Sequence, residues 1–484
     1  MATTLKKYER KLSSPTPGWN VIIGSLVILV VAASFLLLSS TLNFITPDAE
    51  AYNFLSVFSP SHINRMSLSM PEAATRRGRK SANTNIDRIE LSLARARSVI
   101  RKSNKKSSSS SSSSHRRRRS SNITALAQLD YVPKGHIYRN AAAFHRSYLE
   151  MERVFKIYVY EEGVAPLFHD GPCKSIYSME GRFINNMEID VKFRTKDPAK
   201  AHVHFLPFSV VEMIRYIYDQ DSDHFNIDSI KRTILDYINT ISTKYPFWNT
   251  SLGSDHFMVS CHDWGPMAST AMTELYRNSI RVLCNANLTE GFDPTKDVSL
   301  PEINLKTGRT VGYTGGLSPS KREILAFFAG GLHGPIRPVI LEHWKGRDRD
   351  IQVYEYLPAD MSYEDMMRKS KFCICPSGYE VASPRVVEAI YLECVPVIIS
   401  NNYSLPFSDV LNWNSFSVQI SVEDVPNLKN ILTSISQTQY IKMHRRVKLV
   451  QRHFMVTTPP KRFDVFYMIL HSVWLRRLNV RIHS

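Results

Sequence analysis

The sequence contains little cysteine and no arrangement of cysteine and histidine that suits a zinc ion. Its 484 residues include six cysteines, and none lies at the paired spacing that marks a structural zinc site. Cys373 and Cys375 come closest, but they are two positions apart in a predicted strand, so their side chains point to opposite faces. The cysteines are available for disulfide bonds, and the sequence leaves their pairing open.

The part of the chain that is predicted to fold also lacks the positive charge of a nucleic-acid-binding protein. The formal net charge is +17, but residues 41–120 alone hold 16 Lys and Arg against 5 Asp and Glu. The first 40 residues add +3, which leaves +3 for residues 121–484. Because the basic character belongs to a tail and a linker, nucleic acid and membrane surfaces are disfavoured as partners of the folded part.

One long uncharged apolar run is present near the start of the chain. Residues 21–38, "VIIGSLVILVVAASFLLL", are 18 in number, close to the lower limit for a helix that spans a bilayer. A signal peptide is the alternative, but its apolar region is normally roughly 7–15 residues. We therefore expect a cytosolic tail at 1–20, a single transmembrane anchor at 21–38 and a luminal remainder.

Residues 39–130 are predicted to form a low-complexity, disordered luminal stem. The run "KKSSSSSSSSHRRRRSS" at 105–121 cannot bury apolar surface. It is interpreted as a solvated spacer, with a retention signal or a contact with acidic polysaccharide as the alternative. Residues 83–102 carry apolar positions among charges and predict a short helix within the stem.

Asn-x-Ser/Thr sequons beyond the apolar run agree with a luminal location, because such asparagines are glycosylated in the secretory pathway. We expect N-glycosylation at the four sequons, Asn122, Asn249, Asn287 and Asn402. Disulfide bonds between the cysteines would fit the same oxidising compartment.

Short apolar runs alternate with helical stretches from residue 154 onward, which predicts parallel sheets and an α/β fold. The alternation restarts after "TGGLSPSKR" at 314–322. We therefore expect an N-terminal Rossmann-like domain at 131–315 and a C-terminal one at 316–460. A cleft between two such domains is the natural place for a ligand.

The segment "CPSGYEVASPRVVEAIYLECVPVIIS" at 375–400 predicts a strand, a turn at Gly378, a helix and a second strand. Ser383 is expected to cap the helix, because its side chain can accept a backbone hydrogen bond there. Arg385 at the helix start suits an anion such as a diphosphate. Glu388, one turn further, suits the hydroxyls of a ribose; a plain surface ion pair between the two is the alternative.

These residues resemble the donor-binding signature of exostosin-like, GT47-type glycosyltransferases, especially the plant branch. The resemblance covers residues 150–460 and includes "FMVSCHDWGP" and "ILAFFAGGLHGPIRPVILEHW". It implies a GT-B type fold, with residues 461–484 as a helix returning to the N-terminal acceptor domain. It also implies a single-pass type II protein of the Golgi membrane that acts in cell-wall synthesis, nearest in character to xylogalacturonan xylosyltransferase-like members.

The resemblance further implies transfer of a hexosyl or pentosyl unit from a UDP-sugar to a cell-wall polysaccharide, either pectin or hemicellulose. We expect an inverting reaction without a metal or other cofactor. The expected donor-binding residues are Gly378, Glu380, Ser383, Arg385, Glu388, Arg337 and Lys321. Other glycosyltransferases are expected partners, and a non-catalytic glycan-binding or scaffold subunit is the alternative function.

An inverting transfer needs a base that removes the proton of the acceptor hydroxyl. His262 and Asp263 are the candidates, because they follow a predicted strand at its carboxyl end, where α/β sites lie. His202 and His204 are rivals, although histidines within a strand are more typical of packing. The acidic run "DQDSDH" at 219–224 is interpreted as a solvated loop and not as a metal site.

Overall fold

The computed structural model describes residues 76–108, 131–219, 225–308, 310 and 313–482. The tail, the apolar run at 21–38 and Asn122 lie outside these residues, as does most of the acidic run at 219–224. Within the described ranges, no helix combines the length and the apolar character that crossing a membrane requires.

The first sheet has five parallel strands in the order of the chain, β1-β2-β3-β4-β5. Its strands are β1 (Ile157–Val159), β2 (Val203–Leu206), β3 (His256–Ser260), β4 (Ile280–Leu283) and β5 (Val298–Ser299). Every residue of these strands is buried. Helices cover both faces of a parallel sheet, and this explains why the strands are almost continuously apolar.

The second sheet is also parallel, but its strand order is not that of the chain. The order is β10-β9-β8-β6-β7. The strands are β6 (Ile324–Ala329), β7 (Ile351–Tyr354), β8 (Ser370–Pro376), β9 (Val395–Ile399) and β10 (Val418–Ile420). The order reverses between β6 and β8, and such a reversal opens a crevice at the carboxyl ends of the two strands. The predicted α/β fold with parallel sheets is confirmed.

The helices that flank the first sheet come from both ends of the described chain. They are α1 (Arg76–Ser108), α2 (Ala141–Val154), α3 (Ser178–Ile189), α4 (Val210–Tyr216), α5 (Asp228–Lys244), α6 (Phe247–Ser251), α7 (Gly265–Ala268), α8 (Thr273–Arg277) and the last helix, α14 (Val465–Asn479). Polar residues cap several of them, for example Asn140 before α2 and Asp464 before α14. The last helix, α14, contacts β4, β5 and α2.

The remaining helices accompany the second sheet. They are α9 (Ile336–Trp344), α10 (Tyr363–Lys369), α11 (Arg385–Tyr391), α12 (Leu428–Ser434) and α13 (Gln437–Val450). Ser362 caps α10, because its side chain accepts a hydrogen bond from the backbone N–H of Asp365 at 3.3 Å, as the sequence predicts.

Helix α1 differs from the expected disordered stem. It is longer than the predicted 83–102 helix and packs against α2 and α14. Its Leu93, Ala96 and Ile100 are fully buried. Arg97 donates hydrogen bonds to the carbonyl oxygens of Leu478 at 2.6 Å and Val480 at 3.1 Å. The stem boundary at residue 130 is therefore wrong for this segment, because a buried apolar face ties it to the folded part.

One apolar core extends through both halves of the protein. It contains Val203 and Phe257 of the first sheet together with Ala326 and Val397 of the second. A second, smaller core lies on the other face of the first sheet, around α5. The two sheets are therefore parts of one packed body, and we call them, with their flanking helices, the first and the second lobe.

Each lobe contains one disulfide bond. Cys261 is joined to Cys284 in the first lobe, and Cys373 to Cys394 in the second. The adjacent Cys375 is free and buried, in line with the prediction that Cys373 and Cys375 do not pair with each other.

Candidate functional site

The carboxyl edges of the two sheets carry polar side chains that meet between the lobes. On the first sheet, His262 and Asp263 follow β3, Asn285 follows β4 and Glu302 follows β5. Parallel strands bring such residues to one edge of a sheet. The hydrogen bond from Asn285 Nδ2 to Glu380 Oε2, 2.7 Å long, connects this edge to the second lobe.

On the second sheet, two arginines occupy the crevice where the strand order reverses. Arg385, the first residue of α11, donates through Nη2 to the carbonyl oxygen of Ala329, at the end of β6, at 3.0 Å. Its guanidinium group lies 5.2 Å from the ring centre of Phe328. Arg337, in the first turn of α9, is 8% exposed. The predicted donor residues Arg337 and Arg385 are thus brought together.

The positive charges of these arginines are close to each other and incompletely satisfied. Burial, followed by the charge of Arg385, lowers the pKa of Arg337 to about 10. Within the described part of the chain, the Nε atoms of Arg337 and Arg385 are buried without a hydrogen-bond partner. Two neighbouring like charges, one on a buried and one on a half-buried side chain, with unused buried donors are unfavourable by themselves and become favourable when an anion binds between them.

Glycines allow the loops of this crevice to approach each other. A Cβ atom on Gly334, whose φ is +70°, would lie 1.8 Å from the carbonyl oxygen of Gly378. A Cβ atom on Gly378 would lie 2.9 Å from Nη2 of Arg337. Glycine is therefore required at position 334, where the contact is with backbone, whereas a Cβ atom at the predicted turn residue Gly378 would need only the tip of the Arg337 side chain to move.

Glu388 lies one turn into α11 and is partly buried. The Tyr363 hydroxyl donates to its Oε2 at 3.3 Å, and the Asn304 side chain also bonds to its carboxylate. Burial raises the pKa of Glu388, and the charge of Arg385 opposes this shift. The carboxylate is thus positioned beside the arginines as a hydrogen-bond acceptor.

Glu380 lies in a different environment from Glu388. Nδ2 of Asn285 donates both to Glu380 Oε2, at 2.7 Å, and to Glu290 Oε2, at 2.9 Å. Burial, followed by the negative charge of Glu290, raises the pKa of Glu380 to about 7. This carboxyl group therefore bridges the lobes, whereas Glu388 faces the arginines.

His262 is not arranged to accept a proton. Its Nδ1 accepts a hydrogen bond from the backbone N–H of Trp264 at 3.0 Å, so in the neutral ring the proton is on Nε2 and no lone pair is free. Burial lowers the pKa of His262 to about 4. Of the two predicted candidate bases, only Asp263 keeps an available acceptor; its carboxylate interacts with the Tyr177 hydroxyl, and burial raises its pKa.

Glu302 was not among the predicted site residues, although it lies at the meeting of the lobes. It is 6% exposed. Burial raises its pKa to about 8, with further contributions from the negative charges of Asp263 and Glu388. The charges of Arg385 and Arg337 act in the opposite direction. Strand β5 has only two residues, too few for a recognisable pattern, so nothing in the sequence indicates that Glu302 follows a strand.

Lys321 and Ser383 do not take the places predicted for them. Lys321 lies just before β6 begins, while the arginines lie where β6 ends; a six-residue strand separates those edges by roughly 20 Å. Ser383 precedes Pro384 and α11, makes no side-chain cap, and its buried Oγ has no hydrogen-bond partner among the described residues. Neither prediction agrees with the structure.

The two histidines that the sequence offers as alternative bases belong to the packed interior. His202 and His204 are buried in the first lobe. His204, Asp255 and His256 could each offer one metal-ligand atom within 4.8 Å of the others. However, the two rings are stacked at 4.8 Å and 18°, so their in-plane lone pairs do not converge on one point. His256 already bonds to Asp255 and to Tyr160.

The sequon asparagines differ in their accessibility. Asn249 is exposed and Asn402 is partly exposed. Asn287 is buried, and its Nδ2 donates to Glu290 Oε1 at 2.8 Å. A glycan on Asn287 would have to replace this contact, so the structure does not favour that prediction.

Comparison with known proteins identifies the family. The model of the Exostosin GT47 domain matches residues 151–435. A probable glycosyltransferase of Arabidopsis thaliana is 60% identical over 401 residues, covering 83% of this chain and 74% of that protein. The chain belongs to the exostosin GT47 family. It is a glycosyltransferase.

Other exostosin GT47 relatives show how widely the sequence is shared. A second probable glycosyltransferase of Arabidopsis thaliana is 57% identical, with 82% of each chain covered. A probable glucuronoxylan glucuronosyltransferase of the same plant is 28% identical, covering 61% of this chain and 68% of that protein. The crystal structure of TarM aligns with a TM-score of 0.23 and 10% identity, over 41% of this chain and 51% of that chain, a likeness too weak to support an argument.

Proposed function

We propose that this exostosin GT47 protein transfers a sugar from a UDP-sugar to a hydroxyl group of a plant cell-wall polysaccharide, with inversion at the anomeric carbon. The two lobes would act in the GT-B arrangement, the second lobe binding the donor and the first the acceptor. The polysaccharide would be a pectin or a hemicellulose. The distant relative named as a glucuronoxylan glucuronosyltransferase supports a xylan-type acceptor among the hemicelluloses.

The observation that carries the proposal is the arginine pair in the crevice of the second sheet. Arg337 and Arg385 have buried Nε donors without a hydrogen-bond partner among the residues that the structure describes, at the place where α/β sheets bind ligands. A diphosphate would neutralise both charges, and the pair would stabilise the leaving UDP. Because these arginines supply positive charge, no metal is needed in the proposed reaction.

Glu388 and Gly378 complete the proposed donor site. Glu388 would accept hydrogen bonds from the ribose hydroxyls, in exchange for part of its present bonding to Tyr363 and Asn304. Gly378 leaves room for Arg337 beside the turn. Groups that donate hydrogen bonds to a diphosphate and a group that accepts them from the ribose hydroxyls therefore lie side by side, as a nucleoside diphosphate sugar requires.

The first lobe offers the features expected of an acceptor site. Its edge carries Asp263 and Glu302, and next to them the rings of Tyr177, His262 and Trp264 follow one another, with centres 4.8 and 5.2 Å apart. Aromatic side chains provide apolar contact area with a defined orientation. We propose that the sugar rings of the acceptor pack against these side chains.

A Golgi location with a luminal catalytic part is the proposed setting. The disulfide bonds Cys261–Cys284 and Cys373–Cys394 support an oxidising compartment. The apolar run at 21–38 would be the membrane anchor.

The test is a panel of UDP-sugars with pectin and hemicellulose oligosaccharides, together with calorimetry of UDP binding. The unchanged protein should transfer at least one sugar. Arg385→Ala should weaken UDP binding by roughly 10- to 100-fold, since a hydrogen bond to a charged group contributes about 1.5–3 kcal/mol. Lys321→Ala, at the opposite edge of the sheet, is the control and should bind UDP normally.

Two results would count against the proposal. UDP binding that is unaffected by Arg385→Ala would remove the donor site from this crevice. UDP binding without transfer for any pair of substrates would favour a non-catalytic glycan-binding or scaffold subunit.

A further inference from the structure

We infer that Glu302 is the base that takes the proton of the acceptor hydroxyl during sugar transfer. The inference rests on the proposed function and adds a catalytic residue to it. Three aspects of the structure support it: the place of Glu302 after β5 at the carboxyl edge of the first sheet, the bonding of the alternatives, and the charges that surround its carboxylate.

The position of Glu302 is that of a group between donor and acceptor. It follows β5 by three residues and so belongs to the carboxyl edge of the first lobe. The charges that act on it come from Asp263 of the first lobe and from the second-lobe residues Glu388, Arg385 and Arg337. Of the acceptor-side carboxyl groups Asp263 and Glu302, Glu302 is the one that shares charge interactions with both arginines of the proposed donor site.

The neighbouring candidates are less suitable. The acceptor lone pair of His262 is used by the Trp264 N–H. Asp263 keeps acceptor capacity beside its contact with the Tyr177 hydroxyl, but the charge that acts on its carboxylate is the negative charge of Glu290, whereas both arginines act on Glu302. Glu380 is bonded to Asn285. Glu388 is bonded to Tyr363 at the ribose side of the proposed donor site. Glu302 is thus a carboxyl group of the first lobe that interacts electrostatically with both arginines and has no role in the proposed donor site.

The environment of Glu302 also adjusts its basicity. Burial and the negative charges of Asp263 and Glu388 raise its pKa to about 8, while Arg385 and Arg337 limit the rise. The hydroxyls of Tyr177 and Tyr403 also lie within electrostatic reach of its carboxylate. A base is most effective when its pKa is close to the working pH, because it is then both basic and available.

The chemical step balances as a single displacement. The acceptor oxygen forms a bond to the anomeric carbon as its proton passes to a carboxylate oxygen of Glu302. The bond between the anomeric carbon and the diphosphate oxygen breaks, and its electron pair leaves with UDP beside Arg337 and Arg385. Glu302 then releases its proton to solvent.

The experiment compares Glu302→Gln with Glu302→Asp and Asp263→Asn, using the donor and acceptor pair that the unchanged protein uses best. Glu302→Gln keeps the size of the side chain but cannot accept the proton. Its kcat should fall by about 10²- to 10⁴-fold, the usual contribution of a general base. UDP binding should stay within about threefold of the unchanged protein, which also shows that the variant is folded. Glu302→Asp should recover part of the lost kcat.

The pH profile separates a base from a merely structural residue. For the unchanged protein, kcat/KM should rise with pH up to about 8, because only the deprotonated carboxylate accepts the proton. The residual activity of Glu302→Gln should lack this rise.

Three results would decide against the inference. A kcat of Glu302→Gln within threefold of normal would overturn it, as would an unchanged pH profile. A loss confined to Asp263→Asn would assign the base to Asp263 instead. Absence of transfer by the unchanged protein would overturn the proposed function itself, a result distinct from a defect limited to the Glu302 variants.

Discussion

The carboxyl edges of the two lobes are both formed by parallel strands, but they differ in charge. The first edge carries the carboxyl groups of Asp263, Glu290 and Glu302, whereas the second carries the guanidinium groups of Arg337 and Arg385 beside the carboxyl groups of Glu380 and Glu388. Both edges are the ends of parallel strands, so strand geometry alone does not distinguish them. The difference shows that a few side chains after the strands decide what each edge can bind.

The same difference appears in the ionisation of the two edges. On the first, burial raises the pKa of Asp263 and Glu302. On the second, burial and the neighbouring guanidinium group lower the pKa of Arg337. Each edge therefore favours a ligand that complements it: proton-donating hydroxyls on the first, and an anion on the second.

Reversing one positive charge of the second edge should have the largest effect, a loss of UDP binding. Arg337→Glu would place a buried carboxylate where a diphosphate is proposed to bind, so UDP binding should weaken by more than about 100-fold. Calorimetry of UDP binding measures the change. Arg349→Glu, an exposed reversal before β7, is the matched control. Equal binding by both variants would contradict the assignment of opposite roles to the edges.

Removing the charge of Glu380, which bridges the two edges, should have an intermediate effect, seen in how stability depends on pH. The pKa of Glu380 is raised to about 7 in the folded protein, so the folded state holds the proton more tightly and stability falls as pH rises from about 4.5 to 7. Glu380→Gln should reduce this loss by about 1–2 kcal/mol, a figure that allows for solvent screening.

Urea unfolding at pH 5 and pH 8 would measure the stability difference for Glu380→Gln. Glu323→Gln, on an exposed position before β6, is the control and should keep the pH dependence of the unchanged protein. The interpretation that Glu380 bridges the lobes with a raised pKa fails if both variants lose stability equally between the two pH values.

The smallest effect is expected at the aromatic side chains of the first edge. Trp264 packs against Phe225 at 4.7 Å and Tyr218 at 5.0 Å between ring centres. Trp264→Ala should raise KM for the acceptor by about 3- to 10-fold, as expected for an aromatic contact of about 0.5–1.5 kcal/mol. The dissociation constant of UDP should not change. Tyr379→Ala, on the second edge, should leave the acceptor KM within twofold; the reverse pattern would exchange the two roles.

Much of the second edge could be predicted from the sequence, because its parts are neighbours along the chain. The strand, the turn at Gly378 and the helix with Arg385 and Glu388 form one segment with regular apolar runs. The capping role of Ser383 was wrong because the helix begins one residue later than the pattern indicates. Lys321 was misplaced because a basic residue close in sequence to a strand need not lie at its functional end.

The first edge was harder to predict, because its residues are distant in sequence. Glu302 follows a two-residue strand, and only the folded arrangement brings it within electrostatic reach of Arg385. The packing of helix α1 against the folded part is difficult to predict, because its buried face consists of a few residues such as Leu93 and Ile100 among many charged ones. Likewise, the disulfide pairing depends on which strands are neighbours, which local patterns do not reveal.

Because the two sheets share one apolar core, no boundary separates the lobes into two independent domains. The chain passes between the lobes twice, and the two passages touch where the Thr310 hydroxyl donates to the Val456 carbonyl oxygen at 3.0 Å. A fragment containing either lobe alone would lose contacts between the lobes, such as the hydrogen bond between the Tyr138 hydroxyl and His453 Nε2 at 2.6 Å. The lobe proposed to bind the donor and the lobe proposed to bind the acceptor are thus parts of one folding unit, even though their chemistry is distinct.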